Sequence, residues 1–272
     1  MAHESFRASQ TPLSLEESAP DLGKGRRAAT AMAWTSVLVA LAGGVAELMG
    51  GLGYRLQWWP VGTGIVTLGV GAVAAAAGVV IALAALAMAW LTDVRRALGL
   101  AAAGLLIGAA LAAPPLLLWR RAATLPAIHD ISTDTENPPR FAAIVPLRAD
   151  APNSLEYSAD VAAQQKAGYP EIGPVALPQT PALAFELAVR AAHDMGWEVV
   201  AVSPPDLRIE ATATSWLFGF KDDVVVRVTP AAQGSRVDVR SVSRVGRSDV
   251  GVNASRIRAY LRTLGELSRG AG

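Results

Sequence analysis

The chain reads as membrane helices plus an α+β domain: about three transmembrane helices, then an antiparallel four-stranded sheet with flanking helices. Three observations predict this. Apolar runs long enough to cross a bilayer fill residues 30–119 and then stop. From Arg120 onward Asp, Glu, Arg, Pro and Ser return, with 17 basic residues matched by 17 acidic ones. In that second half the hydrophobic pattern alternates between helical and strand periods in the order helix, four strands, helix.

Residues 1–29 are polar and are expected to form a cytoplasmic tail. A cleaved signal would be shorter and would start on a basic region, so the first apolar run reads as a retained helix. The anchor, 30–119, divides into spans at 30–50, Val61–Leu91 and 97–119, each reaching the roughly 20 residues that a bilayer requires. Glu47 is expected at the interface, near the end of the first span. The second span is longer than needed and would tilt. In the third, Gly104-Leu-Leu-Ile-Gly108 has the spacing of a small-residue packing motif, and Pro114-Pro115 should kink the helix or end it early. Trp34, Trp58, Trp59, Trp90 and Trp119 fall near the expected ends, where indole rings sit at headgroup depth. Thr63 and Thr67 are the only polar side chains of the second span. A packed anchor is the simpler reading, with a transport accessory as the alternative.

Sidedness follows from short basic flanks, which favour the cytoplasm. Lys24, Arg26 and Arg27 precede the first span, and Arg95 and Arg96 lie between the second and third. The loop between the first two spans holds only Arg55. The expectation is a multi-pass protein of the cytoplasmic (inner) membrane, with its C-terminal domain on the periplasmic or extracytoplasmic side. Arg120 and Arg121 oppose that orientation.

Residues 120–150 read as linker and lead-in, and 151–272 as the domain. Pro138-Pro139 forbids helix in the lead-in. A short helix is expected over 154–166, capped by Ser154. Thr180 and Pro181 open a helix that Gly196 ends. Strands follow at 197–202, 207–216, 223–229 and 236–245, and Asn253 is expected to cap a last helix to about residue 267. Connections this short force antiparallel pairing. With registers centred on the turns, Glu210, Arg227 and Asp238 would form one cross-strand row on the face away from the helices, a stabilising rather than chemical feature.

Composition narrows the chemistry. The net charge of +1 gives no basic footprint for nucleic acid. The absence of cysteine removes disulfides, thiol nucleophiles and Cys-ligated metals. No nucleophile-elbow, phosphate-loop or dinucleotide fingerprint occurs, and neither a cofactor nor a metal is expected.

The densest polar cluster is Arg240, Arg244, Arg247, Ser248, Asp249, Asn253 and Arg256, in a glycine-bearing loop that leads into a helix N-terminus. Free backbone N–H groups and forked guanidinium donors there suit a phosphate or carboxylate. Expected partners are the bilayer and an anionic small molecule, lipid headgroup or envelope protein bound at this cluster. The simpler reading has the same residues pairing with one another to hold the loop. A hydrolase-type site is the other alternative. It would require His129, Asp130 and Asp222-Asp223 to converge with the Arg247 loop.

Three segments carry a family resemblance: IHDISTDTENPPRF at 128–141, IEATATSWLFGFKDDVVVRV at 209–228 and RSVSRVGRSDVGVNASRIR at 240–258. Together they make the soluble half resemble the "domain of unknown function 1499" family. The resemblance implies a small envelope- or organelle-associated domain, often attached to membrane helices. It brings no catalytic residues with it.

Overall fold

In a bilayer a backbone must satisfy its own hydrogen bonds, and an Ala- and Gly-rich chain does so as helix. The computed structural model describes residues 22–271. Most of the polar tail expected at 1–29 therefore lies outside the described residues. Helices α1 (Leu22–Arg55), α2 (Val61–Leu91) and α3 (Arg95–Thr124) are each long and apolar enough to cross a membrane. Their contacts are made by small residues. A Cβ on Gly43 would lie 2.6 Å from the Gly71 carbonyl oxygen, and one on Gly50 would lie 2.6 Å from that of Gly64. These two reciprocal contacts bring the α1 and α2 backbones together without side chains between them. Gly104 and Gly108 do the same for α3, against Ser36 of α1 and Ala75 of α2.

Two expectations about the anchor are narrowed. Of the two outcomes expected for Pro114 and Pro115, a kink or an early end, the early end does not occur, because α3 continues to Thr124. Among lipid tails, leaving the helix would expose more unpaired backbone than the two missing N–H groups do. Glu47 is not at a helix end, because α1 runs on to Arg55. It lies inside the helix with one carboxylate oxygen buried and unpartnered among the described residues.

The C-terminal domain contains β1 (Asp130–Ser132), α4 (Ala159–Gly168), β2 (Val175–Leu177), α5 (Pro181–Asp194), β3 (Glu198–Ser203), β4 (Arg208–Thr214), β5 (Lys221–Pro230), β6 (Ser235–Ser243) and α6 (Val252–Gly270). The four expected strands and the two long helices are present. The sheet gains two three-residue strands, giving six strands in the order β1-β6-β5-β4-β3, with β2 also paired to β6. All pairings are antiparallel.

Strand alternation sends Ile209, Ala211, Val224, Val226, Val228, Val237 and Val239 to one face, where α5 and α6 bury them. Trp197 stacks on Tyr260 at 5.0 Å, and the Tyr260 hydroxyl donates to the Ala188 carbonyl at 2.9 Å, which ties the two helices. The short helix α4 starts later than expected. Ser158 rather than Ser154 accepts the Val161 N–H, because residues up to 157 lie across the sheet instead. From α4, Gln165 accepts from the Ser132 N–H at 2.9 Å and donates to the Ser132 carbonyl at 2.6 Å. One amide side chain thus satisfies the free edge of β1.

The aromatic run between β4 and β5 docks on the anchor rather than filling the sheet core. Tyr54 of α1 meets Phe220 at 5.3 Å and Phe218 at 6.3 Å, and Arg55 donates to the Trp216 carbonyl. A Cβ on Gly51 would strike Leu217. Trp216 itself is 76% exposed beside this contact.

Candidate functional site

The second face of the sheet alternates out of phase with the core and carries Arg208, Glu210, Thr212, Asp223, Arg227, Asp238, Arg240 and Arg244. Water would normally solvate such a row. Here the segment from Thr133 to Tyr157 lies over it, and Glu210, Asp223 and Asp238 are each at most 1% exposed. Buried charge is tolerable only when it is paired and hydrogen-bonded. The cover segment supplies much of that pairing.

Glu210 accepts from three consecutive backbone N–H groups, Ala142, Ala143 and Ile144, at 2.9–3.1 Å, and from Arg208 Nε at 3.1 Å. A run of N–H groups of this kind makes an anion-binding concavity, which here is filled by the protein's own carboxylate. Asp223 accepts from Arg148 at 2.5 Å, from Arg244 at 2.8 and 2.9 Å, and from Thr212 at 2.8 Å. Burial alone would raise its pKa, but the donors from Arg244, Thr212 and Arg148 outweigh burial and hold it below the usual carboxylate range. Asp238 and Asp134 share Arg227 and Arg236 at 2.9–3.2 Å. Asp130 takes the Arg240 guanidinium bidentately, at 2.7 and 3.0 Å.

The expected row of Glu210, Arg227 and Asp238 is half correct. Asp238 stands opposite Arg227, but Glu210 stands opposite Val225. The 215–220 loop sets this register by pairing Thr214 with Lys221, which places Arg208 across from Arg227.

The sequence-predicted cluster is divided among three places. Arg240 and Arg244 lie on the covered face, paired as described. Asn253, Asp249 and Arg256 lie at the end of the helix-covered face. There Asn253 bonds Ser241, Ser243 and the His129 carbonyl, and Arg256 reaches Asp222 at 2.5 Å. Asn253 does not cap α6. Asp249 takes that role, accepting from the Gly251 and Asn253 N–H groups at 2.8 Å each, because Gly251 holds the left-handed turn before the helix. Ser248 accepts from the Val250 N–H within the loop. Of this cluster Arg247 alone is exposed, and it makes no ion pair among the described residues.

The groups of the hydrolase reading are not brought together. Asp222 and Asp223 point to opposite faces of the sheet, Asp130 is held by Arg240, and no group of three or more metal-ligating side chains occurs among the described residues.

A cleft of about 510 Å³ opens over the charged layer, a size suited to a small organic ligand. Its walls include Phe141, Val145, Leu155 and Tyr157, with Arg240 within and Arg140 at the rim. The Arg240 guanidinium sits 5.4 Å from the Phe141 ring and 5.5 Å from that of Tyr157. Arg140 is exposed and has no ion pair among the described residues. These wall residues, and Arg148 beneath them, were not among the sequence candidates. Their one sequence signal is the Pro138-Pro139-Arg140-Phe141 run, which is too rigid and too apolar for a plain linker.

Residues 130–264 match the family described as "Protein of unknown function (DUF1499)". The C-terminal domain belongs to that family. The match begins at β1 and ends in α6, so the DUF1499 domain includes the covering segment and both faces of the sheet. The three-helix anchor lies outside it. No curated protein and no solved structure matches the chain.

Proposed function

We propose that this protein is a membrane-anchored, non-catalytic binding protein. Its DUF1499 domain takes a small molecule that has an anionic group and an apolar body, in the cleft between Phe141 and Tyr157. One observation carries this reading: Arg140, exposed and without an ion pair among the described residues, stands at the rim of a cleft with apolar and aromatic walls, whereas the layer beneath is internally neutralised. An anion at Arg140 with its body on Phe141, Val145 and Leu155 would use both features. Leu147, two residues from Val145, lines a second cleft with Tyr54 and Gln57 of the anchor. That proximity favours a ligand that arrives from, or returns to, the adjacent leaflet.

The domain is proposed to lie on the extracytoplasmic side. It sits at the end of the bundle that holds Arg55, and Lys24, Arg26, Arg27, Arg95 and Arg96 gather at the other end.

The test uses the full chain in nanodiscs and two soluble probes, 2-naphthoate and its cationic counterpart 2-naphthylmethylamine. Equilibrium dialysis is expected to give binding of the naphthoate, about tenfold weaker in Arg140→Ala, in line with the loss of one charge-assisted contact. Phe141→Ala should weaken it as well. Equal binding of the amine, or naphthoate binding unchanged in both variants, sinks the assignment.

A further inference from the structure

We propose that the end of the helical bundle away from the DUF1499 domain holds a site for the headgroup of an anionic phospholipid. It lies between the start of α1 and the α2–α3 turn and is built on Arg26, Arg27, Arg95 and Arg96. This inference does not rest on the cleft of the C-terminal domain. The four guanidinium groups come from segments about seventy residues apart and line one wide, open cavity of about 860 Å³. The two walls are tied together, since Arg26 Nε donates to the Thr92 carbonyl at 3.1 Å.

Three features separate this cavity from ordinary basic flanking residues. Arg27, Arg95 and Arg96 form no ion pair among the described residues, in contrast to the arginines of the covered layer. Among the described residues that line it, the cavity sets four arginines against a single carboxylate, Asp93. Second, α3 begins at Arg95 with no side-chain cap and no acidic residue in its first turn. Its free N–H groups and positive dipole end add to the same field. Third, the wall below the arginines is apolar, formed by Ala31, Val94 and Trp34, and Trp34 is 51% exposed where acyl chains would begin. A free phosphate would need the cationic rim only. A lipid uses the rim and the apolar wall together.

The test is native mass spectrometry of the full chain released from nanodiscs that contain phosphatidylglycerol and phosphatidylcholine. Wild-type protein is expected to retain phosphatidylglycerol in preference to phosphatidylcholine, and excess inorganic phosphate should not displace it. The variant Arg27→Gln/Arg95→Gln/Arg96→Gln should retain it about a hundredfold less well, at about fivefold per guanidinium. Arg120→Gln/Arg121→Gln, at the other end of α3, should leave retention unchanged. Equal retention of the two lipids by wild-type protein overturns the proposal without recourse to any variant. Displacement by inorganic phosphate, or equal loss in the two variants, overturns it also.

Discussion

Asp223 shows how a single side chain commits the covering segment to the sheet. Its carboxylate joins Arg148 of the cover, Arg244 beyond β6 and Thr212 of β4, so three parts of the chain meet on two oxygens. Because its folded pKa lies below the unfolded value of about 3.9, its stabilisation is fully present above that pH and is lost as pH falls through the folded value. Melting of the full chain is therefore expected to weaken as pH drops below about 4. Asp223→Asn should lower stability at neutral pH by about 3–5 kcal/mol, the cost of leaving buried guanidinium groups unpaired. The variant should also flatten the acid dependence. An unchanged melt at neutral pH would show that the pair contributes nothing. Residue roles of this kind were the least legible in the sequence. Glu210 was visible as a polar position on a strand, but its three N–H donors come from residues 142–144, nearly seventy positions away. The cap of α6 fell to Asp249 instead of Asn253, because only the folded backbone decides which side chain turns back toward the helix start.

At the scale of elements, the long and periodic ones were legible, and the short or unpatterned ones were not. Helix α5 announces itself through Thr180, Pro181 and a buried stripe, β4 through alternation, and β5 and β6 as two valine-bearing runs joined by a turn that ends at Gly234. Strands β1 and β2 have three residues each, too few for a period, and they exist because the edge of β6 offers free backbone groups. The pairing of α1 with α2 was hidden for a different reason: glycines are frequent throughout the anchor, and spacing alone does not say which of them face a neighbour. The structure separates them. Gly43→Val would drive a side chain into the Gly71 carbonyl, whereas Gly69 has open space beside it. Gly43→Val is expected to destabilise the bundle by about 1–3 kcal/mol, or to force the helices apart, and Gly69→Val to be close to neutral. Unfolding of the purified chain in increasing dodecyl sulfate measures both, and equal effects would remove the glycine contact as the basis of packing.

For the whole molecule, the division into anchor and domain was legible from composition alone, since it follows from where charge is absent. The docking of the 215–220 loop on Tyr54 and Arg55 was not legible, because an aromatic run suits a core or a surface equally well. That contact puts the domain at one end of the bundle, so its side of the membrane can be measured at one position. The chain has no cysteine, which leaves no background for thiol labelling. A cysteine at exposed Glu198 should react with a membrane-impermeant maleimide in intact cells, and one at Arg96 only after lysis. The reverse pattern would invert the proposed orientation. The charged layer under the cover has a further consequence, for inheritance. Asp130 and Arg240 are both nearly inaccessible and satisfy each other, so replacing either alone strands a charge, whereas replacing both with apolar residues of similar volume need not. Drift at this face should proceed by paired substitutions. Among relatives, positions 130 and 240 are then expected to change together or not at all, while exposed Arg247 varies freely.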